Sequence, residues 1–209
     1  MSAHARLLAA LVATLALAAP ASAQPWPSKP IKLVVGFAAG GVADVTARVV
    51  AQKLSDQLGQ PVVVDNRPSA GGIVAAEAVA KSAPDGNTLL LMSNGNAVSA
   101  SLFRSLPYDT LADFAPVSTL GFFDVAVVAS ADARIDSMAS LLAYAKANPG
   151  KLDIGTINVG STQHLAAELF RSMTGLEATV VPYKGSPAVI TALRANDVQV
   201  AFEMLAPVV

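Results

Sequence analysis

The stretch Ile31–Asp65, IKLVVGFAAGGVADVTARVVAQKLSDQLGQPVVVD, decides the fold. It opens on a short apolar run, Ile31–Gly36, with the length and composition of a buried strand. Phe37–Gly41 (FAAGG) is a loop of small residues. Apolar residues then recur at Val42, Val45, Val49, Leu54 and Leu58, near helical spacing, and Gly59 with Pro61 just beyond ends the run. Val62–Asp65 (VVVD) is a second strand. A strand, a helix and a second strand in close succession form the unit from which parallel sheets are built.

The alternation continues along the chain. Asn66–Gly72 is a loop and Ile73–Lys81 an Ala-rich helix. Pro84-Asp85-Gly86 is a turn signal before Thr88–Ser93, read as a buried strand. Asn94-Gly95-Asn96 opens a loop ahead of a short helix ending near Leu106, and residues 107–116 form an irregular surface segment. Val117–Leu120 and Val125–Ala129 read as strands on either side of a boundary near Gly121–Phe123. Ser137–Asn148 is a helix with a serine cap and a Pro149-Gly150 stop. Asp153–Ile157, Ala178–Val181 and Val198–Glu203 read as strands. The helices Gln163–Thr174, closed by Gly175, and Pro187–Ala195 separate them. The expected architecture is α/β, with two doubly wound lobes, residues 24–122 and 123–209, whose parallel sheets are covered on both faces.

Bulk properties narrow the function. Charged residues are 14% of the 209, and the net charge is −1, with no basic patch of the kind nucleic acid requires. There is no cysteine, which excludes thiol catalysis and cysteine metal sites. Residues 1–23 have the three parts of a secretory signal: His4 and Arg6, the apolar run Leu7–Ala19, and the small-residue site Ala21-Ser22-Ala23. Cleavage after Ala23 would deliver a soluble chain beginning at Gln24 to the periplasm.

In open α/β sheets ligands bind beyond the carboxyl ends of the strands. The loops there are Phe37–Gly41, Asn94–Asn96, Gly160–His164 and Pro182–Ser186, rich in Gly, Ser and Asn. Free N–H groups and a partial positive charge at a helix start favour an anion, and Gly40 and Gly41 let a carboxylate approach the backbone. The same loop fits a plain tight turn equally well. It is neither a G-x-x-x-x-G-K-[ST] nor a G-x-G-x-x-G motif, so nucleotide binding is poorly supported. Asp44, in the first helical turn, can cap N–H groups or orient a polar ligand. Arg48, Arg67 and Lys184 are possible counter-ions, Arg48 and Lys184 reading more simply as solvated. Tyr183 offers an apolar wall with a hydroxyl. Glu203, read as following the last strand, could meet a ligand amine or hydroxyl, or simply be solvated. His164 is the only histidine after residue 23. It could pair with Ser161 in a hydrolase, but no G-x-S-x-G elbow is present and no second His or Cys completes a metal site.

The chain resembles the Bug (Bordetella uptake gene) type substrate-binding proteins of tripartite tricarboxylate transporters. The matching segments run in order through nearly the whole chain after residue 23. They are Trp26–Ile31, Gly36–Gly41 with Asp44, Asn66-Arg67-Pro68 with Gly71-Gly72, and Ala83–Gly86. Leu106–Asp109, Asp113–Pro116, Ala147–Leu152, Gly160-Ser161 with His164, and Val181–Gly185 follow. The resemblance implies a two-lobed periplasmic-binding-protein fold of type II, closing like a flytrap. It implies recognition of a small carboxylate (a di- or tricarboxylate, acidic amino acid or related organic acid), with no cofactor and no catalysis. Phe37, Ala38, Ala39, Gly40 and Gly41 would hold the carboxylate, largely through backbone groups and bridging water. Gly160, Ser161, Thr162 and His164 would close from the other lobe. Ser93 and Asn94, with Tyr183, Gly185 and Glu203, complete the expected site, and Asn94–Asn96 could tune ligand choice. The expected partner is a membrane permease, met by a monomer, although a sensor protein would read the same cleft. Such proteins continue past the position of Val209, so the second lobe and the return to the first are expected to be incomplete in this sequence.

Overall fold

The structure, a computed structural model, describes residues 25–205; the signal segment read at residues 1–23 lies outside them. The first sheet has the order β2-β1-β3, all parallel, from β1 (Ile31–Val35), β2 (Val62–Asn66) and β3 (Thr88–Leu91). β1 is the central strand and, apart from the exposed Lys32, is buried on both faces, which is why its other four residues are all apolar. Leu33 and Val35 pack with Ala47 and Ala51 of α1 (Val42–Leu58). α2 (Ile73–Ala80) supplies the buried Ala75 and Ala76. β3 is only half-buried rather than the fully buried strand expected, because it lies at the sheet edge.

The second sheet has the order β4-β7-β5-β6, from β4 (Val125–Ala129), β5 (Leu152–Ile157), β6 (Ala178–Tyr183) and β7 (Val200–Met204). α4 (Met138–Ala147) and α5 (Thr162–Thr174) cover one face, through Leu141, Ala145 and Ala167 against Leu152, Ile154, Val200 and Phe202. α6 (Ser186–Arg194) covers the other, through Val189, Ala192 and Leu193 against Ile157 and Ala201. Capping follows the sequence: the Ser137 side chain accepts from the Ser140 amide, and Gly59 and Gly175 close α1 and α5 in the left-handed conformation.

Four further expectations are corrected. The second sheet is not wholly parallel, because β4 pairs antiparallel with β7, from Val125↔Met204 to Ala129↔Val200. A helical connection makes parallel strands possible but does not decide which strands are neighbours, and β7 separates β4 from β5. Val117–Leu120 is not a strand: Val117 is 86% exposed, and no described strand takes up the backbone groups of this segment. An apolar tetrapeptide becomes a strand only where a ladder satisfies its N–H and C=O groups. Asn94-Gly95-Asn96 is not a loop but the first turn of α3 (Asn94–Leu102), because the Asn96 side chain accepts from the Ser93 amide at 3.0 Å and closes a cap. Glu203 is not solvated at a strand end but lies inside β7, only 1% exposed.

Candidate functional site

The loops at the carboxyl ends of the two sheets face and touch each other. A Cβ on Gly185 would lie 2.9 Å from Cβ of Ala38, and one on Gly41 would lie 3.2 Å from Oγ of Ser186. At the other end of the seam, a Cβ on Gly95 would lie 2.9 Å from the Gly160 carbonyl oxygen. Among the described residues, three hydrogen bonds cross between the halves. The Gly71 amide donates to the Val159 carbonyl at 3.0 Å, Nδ2 of Asn158 to the Ser69 carbonyl at 3.3 Å, and the Thr162 hydroxyl to Oδ1 of Asn94. Phe37 packs against both the α1 core and the α6 core, so its ring wedges the halves together. Gly160, at φ 81°, turns the chain in a conformation that a side chain would strain, directly against Gly71.

Helix starts converge on this seam, but they are not equivalent. Ser161 accepts from the His164 amide at 3.1 Å and donates to the Ile157 carbonyl at 3.2 Å, so α5 is self-capped. Ser69 caps Val74 in α2, and the Ser93–Asn96 pair closes α3. α1 and α6 begin on glycines, Gly41 and Gly185, as α2 does on Gly72, but no upstream side chain caps them as Ser69 does α2. In α1 the amides of Val42, Ala43 and Asp44 take no acceptor among the described residues, whereas in α6 only the Ser186 amide is left, because Pro187 has none and the Ala188 amide donates to the Gly185 carbonyl at 3.1 Å. These two starts meet at Gly41 and the buried Ser186.

Asp44 stands beside this meeting point, buried to 3% exposure. Its Oδ2 accepts from the Gly40 amide at 2.9 Å and from Nε of Arg48 at 3.0 Å, and its Oδ1 lies 3.0 Å from Nη2 of Arg48. Arg48 also donates to Oδ1 of Asn66 at 3.2 Å, and Nδ2 of Asn66 donates to the Phe37 carbonyl at 3.0 Å. Burial alone would raise the Asp44 carboxyl. The hydrogen bonds from Arg48, Gly40 and Asn66 outweigh it and hold the group below its ordinary value, so it is ionised. Arg48, read as solvated, is therefore the neutralising partner of Asp44. Arg67 is likewise paired, with Asp65 at 3.0 Å.

His164 has a buried Nδ1 with no partner among the described residues. Burial, with Arg171 adding to it and Glu168 opposing it, holds the imidazole below its ordinary value, so it is neutral near pH 7. Ser161 is committed to the His164 backbone and not to its ring, which removes the Ser/His pair of a hydrolase. The Tyr183 hydroxyl is raised by burial and by the Asp197 and Asp153 carboxylates, so it stays protonated. Glu203 accepts at Oε1 from Nε2 of Gln163 and from the Met204 amide, both at 2.8 Å. These bonds tie it to the body of the second half, and its Oε2 is buried without a partner among the described residues.

A cleft of about 340 Å³ lies along the seam, lined by Pro68 and Ser69 from the first half and by Asn158, Pro182, Tyr183 and Lys184 from the second. The sequence reading singled out Tyr183 and Lys184 but missed Asn158 and Ser186. The available signal was their position, the last residue before Val159-Gly160 and the first after Gly185. No group of His, Asp or Glu among the described residues is placed to hold a metal ion.

Residues 46–209 match the sequence model of the tripartite tricarboxylate transporter family receptor. Protein BugT of Bordetella pertussis is 46% identical over 194 residues, covering 90% of this chain and 60% of that protein. R. palustris Rpa4515, solved with adipate, superimposes with a TM-score of 0.83 at 37% identity, covering 87% of this chain and 61% of that one. MatC of Rhodopseudomonas palustris, solved with bound malate, gives a TM-score of 0.81 at 28% identity, covering 88% of this chain and 63% of that one. The chain thus spans about 60% of the length of these relatives.

Proposed function

The chain belongs to the tripartite tricarboxylate transporter receptor family, and from that premise we propose that it is the ligand-capturing part of a periplasmic receptor for a small organic acid. The two halves, divided at residues 122/123, act as lobes that close on the acid and present it to membrane subunits of a transporter. The observation that carries this reading is the meeting of the two uncapped helix starts, at Gly41 and Gly185–Ser186, beside a carboxylate that Arg48 already neutralises. Orphan amides and partial positive charge favour an anion there. Charge-assisted hydrogen bonds of about 1.5–3 kcal/mol each supply the affinity without a dedicated arginine. Phe37–Gly41 binds from one side and the Gly160 and Gly185 loops from the other. The relatives solved with adipate and with malate support the ligand class.

The test is thermal unfolding of the purified chain against a panel of organic acids and acidic amino acids. A ligand at a hundredfold excess over its dissociation constant adds about 2.7 kcal/mol of stability and raises the midpoint accordingly. A cooperative transition that no acid shifts would overturn the reading.

A further inference from the structure

The two ends of the seam are built differently. At the Gly41–Gly185 end the halves meet by close packing, Ala38 against Gly185 and Ser186 against Gly41. Among the described residues, all the hydrogen bonds that cross the seam lie at the other end, and each joins protein to protein. There Gly71, Gly95 and Gly160 bring three stretches of backbone together with no side chain between them. A Cβ on Gly160 would lie 3.4 Å from Cα and N of Gly71, one on Gly95 would lie 2.9 Å from the Gly160 carbonyl oxygen, and one on Gly71 would overlap Oγ of Ser99. Gly71 sits in the left-handed conformation, at φ 60°, and α3 holds it there. Its carbonyl accepts from Nδ2 of Asn96 and from Oγ of Ser99, both at 3.2 Å, while its amide donates across the seam to Val159 at 3.0 Å. Asn96 is 3% and Ser99 0% exposed, so neither has surface to offer a bound acid. Their polar groups are committed to the junction.

We propose that this junction is a lock that holds the halves closed through contacts of the chain with itself, and that Asn96 and Ser99 are its positioning residues. The inference deepens the receptor reading above and rests on it: affinity is set partly at a place the acid does not touch. For a ligand that binds only the closed form, the apparent dissociation constant is the intrinsic one divided by the closed fraction. A weaker lock therefore weakens every acid by one common factor, whatever its length or charge. It also speeds release, because opening precedes departure of the ligand.

The experiment attaches a donor and an acceptor dye near the far ends of α1 and α5, through Gln57→Cys and Ser172→Cys. Both positions are exposed, and the chain has no other cysteine. Energy transfer without ligand reads the closed fraction, and titration with adipate and with malate reads affinity. The lock is broken by Gly95→Ala, whose Cβ meets the Gly160 carbonyl across the seam while alanine suits the helix itself. The expected result is an unfolding midpoint no lower than that of the wild type and a ligand-free transfer displaced away from the liganded wild-type value. Both acids should lose affinity equally, by about tenfold, with faster dissociation. Ser99→Ala removes one of the two donors to the Gly71 carbonyl and should move both readouts the same way, with affinity falling about threefold. A ligand-free transfer in Gly95→Ala that is unchanged or displaced toward the liganded value, no loss of affinity, or a loss confined to one acid overturns the lock and leaves the receptor reading intact. A folded wild type that binds neither acid nor the wider panel overturns that reading instead, and an unchanged ligand-free transfer in Gly95→Ala still refutes the lock.

Discussion

Asp44→Asn probes the device that shapes the Phe37–Gly41 loop. The side chain differs by one group, yet the network changes character. Wild-type Asp44 serves the Gly40 amide and two nitrogens of Arg48 with a full negative charge. Asparagine keeps one acceptor oxygen and turns an NH₂ toward donors. One charge-assisted bond is thereby lost outright, a cost of about 1.5–3 kcal/mol. Arg48 is 55% exposed, which screens its share and places the net near the low end, about 2 kcal/mol. For a chain of this size that lowers the unfolding midpoint by roughly 4–8 °C. Arg48→Gln should cost more than the double variant, because it strands a buried carboxylate that Asp44→Asn then neutralises. Ligand affinity should fall about tenfold in Asp44→Asn, since Arg48, which through Asn66 positions the Phe37 carbonyl, loses its charged anchor. The pH dependence has a definite sign. The folded carboxyl lies below its ordinary value of 3.8, so its stabilisation is fully present above that value and is lost as pH falls through the folded one. The advantage over Asp44→Asn should therefore be flat near neutrality and vanish only in strong acid. Denaturant melts and calorimetry on the four chains of the cycle decide the matter. A variant equal to wild type in both midpoint and affinity would refute the positioning role.

Two further substitutions separate closure from folding. Gly185→Ala places a Cβ 2.9 Å from Ala38 in the opposite half, so it should weaken ligand binding at least tenfold by titration while leaving far-ultraviolet circular dichroism unchanged. Glu203→Ala removes the acceptor of Gln163 and of the Met204 amide inside β7, and should destabilise by about 1–3 kcal/mol in urea melts through the donors left unmet.

The parts of the fold legible in the sequence are those fixed by local rules. Ile31–Val35 must be a strand, because five apolar or stem-forming residues between a proline and a glycine loop have only a sheet centre to occupy. Ser137, Gly59 and Gly175 mark helix ends through their own backbone chemistry. What escaped the reading depends on neighbours distant in sequence. VSTL at residues 117–120 has strand composition but lies against no described ladder, and β4 runs antiparallel because its partner is β7, some 70 residues on. At the proposed site, Gly40 and Gly41 were visible as a turn that either approaches an anion or simply joins strand to helix. Their apposition to Gly185 and Ser186 was not, since nothing local records which loops meet. Arg48 is solvated as read, at 55% exposure, but its pairing with a buried carboxylate was harder to see. Its i, i+4 spacing from Asp44 was visible, but the burial that turns a surface pair into an anchored one comes from tertiary packing.

The antiparallel pairing of β4 with β7 bears on how the two halves can part. The ladder does not stop at Val125↔Met204, because the Leu205 amide donates to the Asp124 carbonyl at 3.2 Å and carries the pairing one residue back into the link. A strand bonded along its flank cannot swivel about its own backbone. The torsional freedom for opening is therefore pushed upstream of Asp124, into the exposed stretch around Gly121, where no ladder restrains φ and ψ. At this link, the proposed opening turns on the short pivot ahead of Asp124, with the β4–β7 pair moving as a unit. Stiffening that pivot would slow ligand exchange without touching a single residue of the cleft.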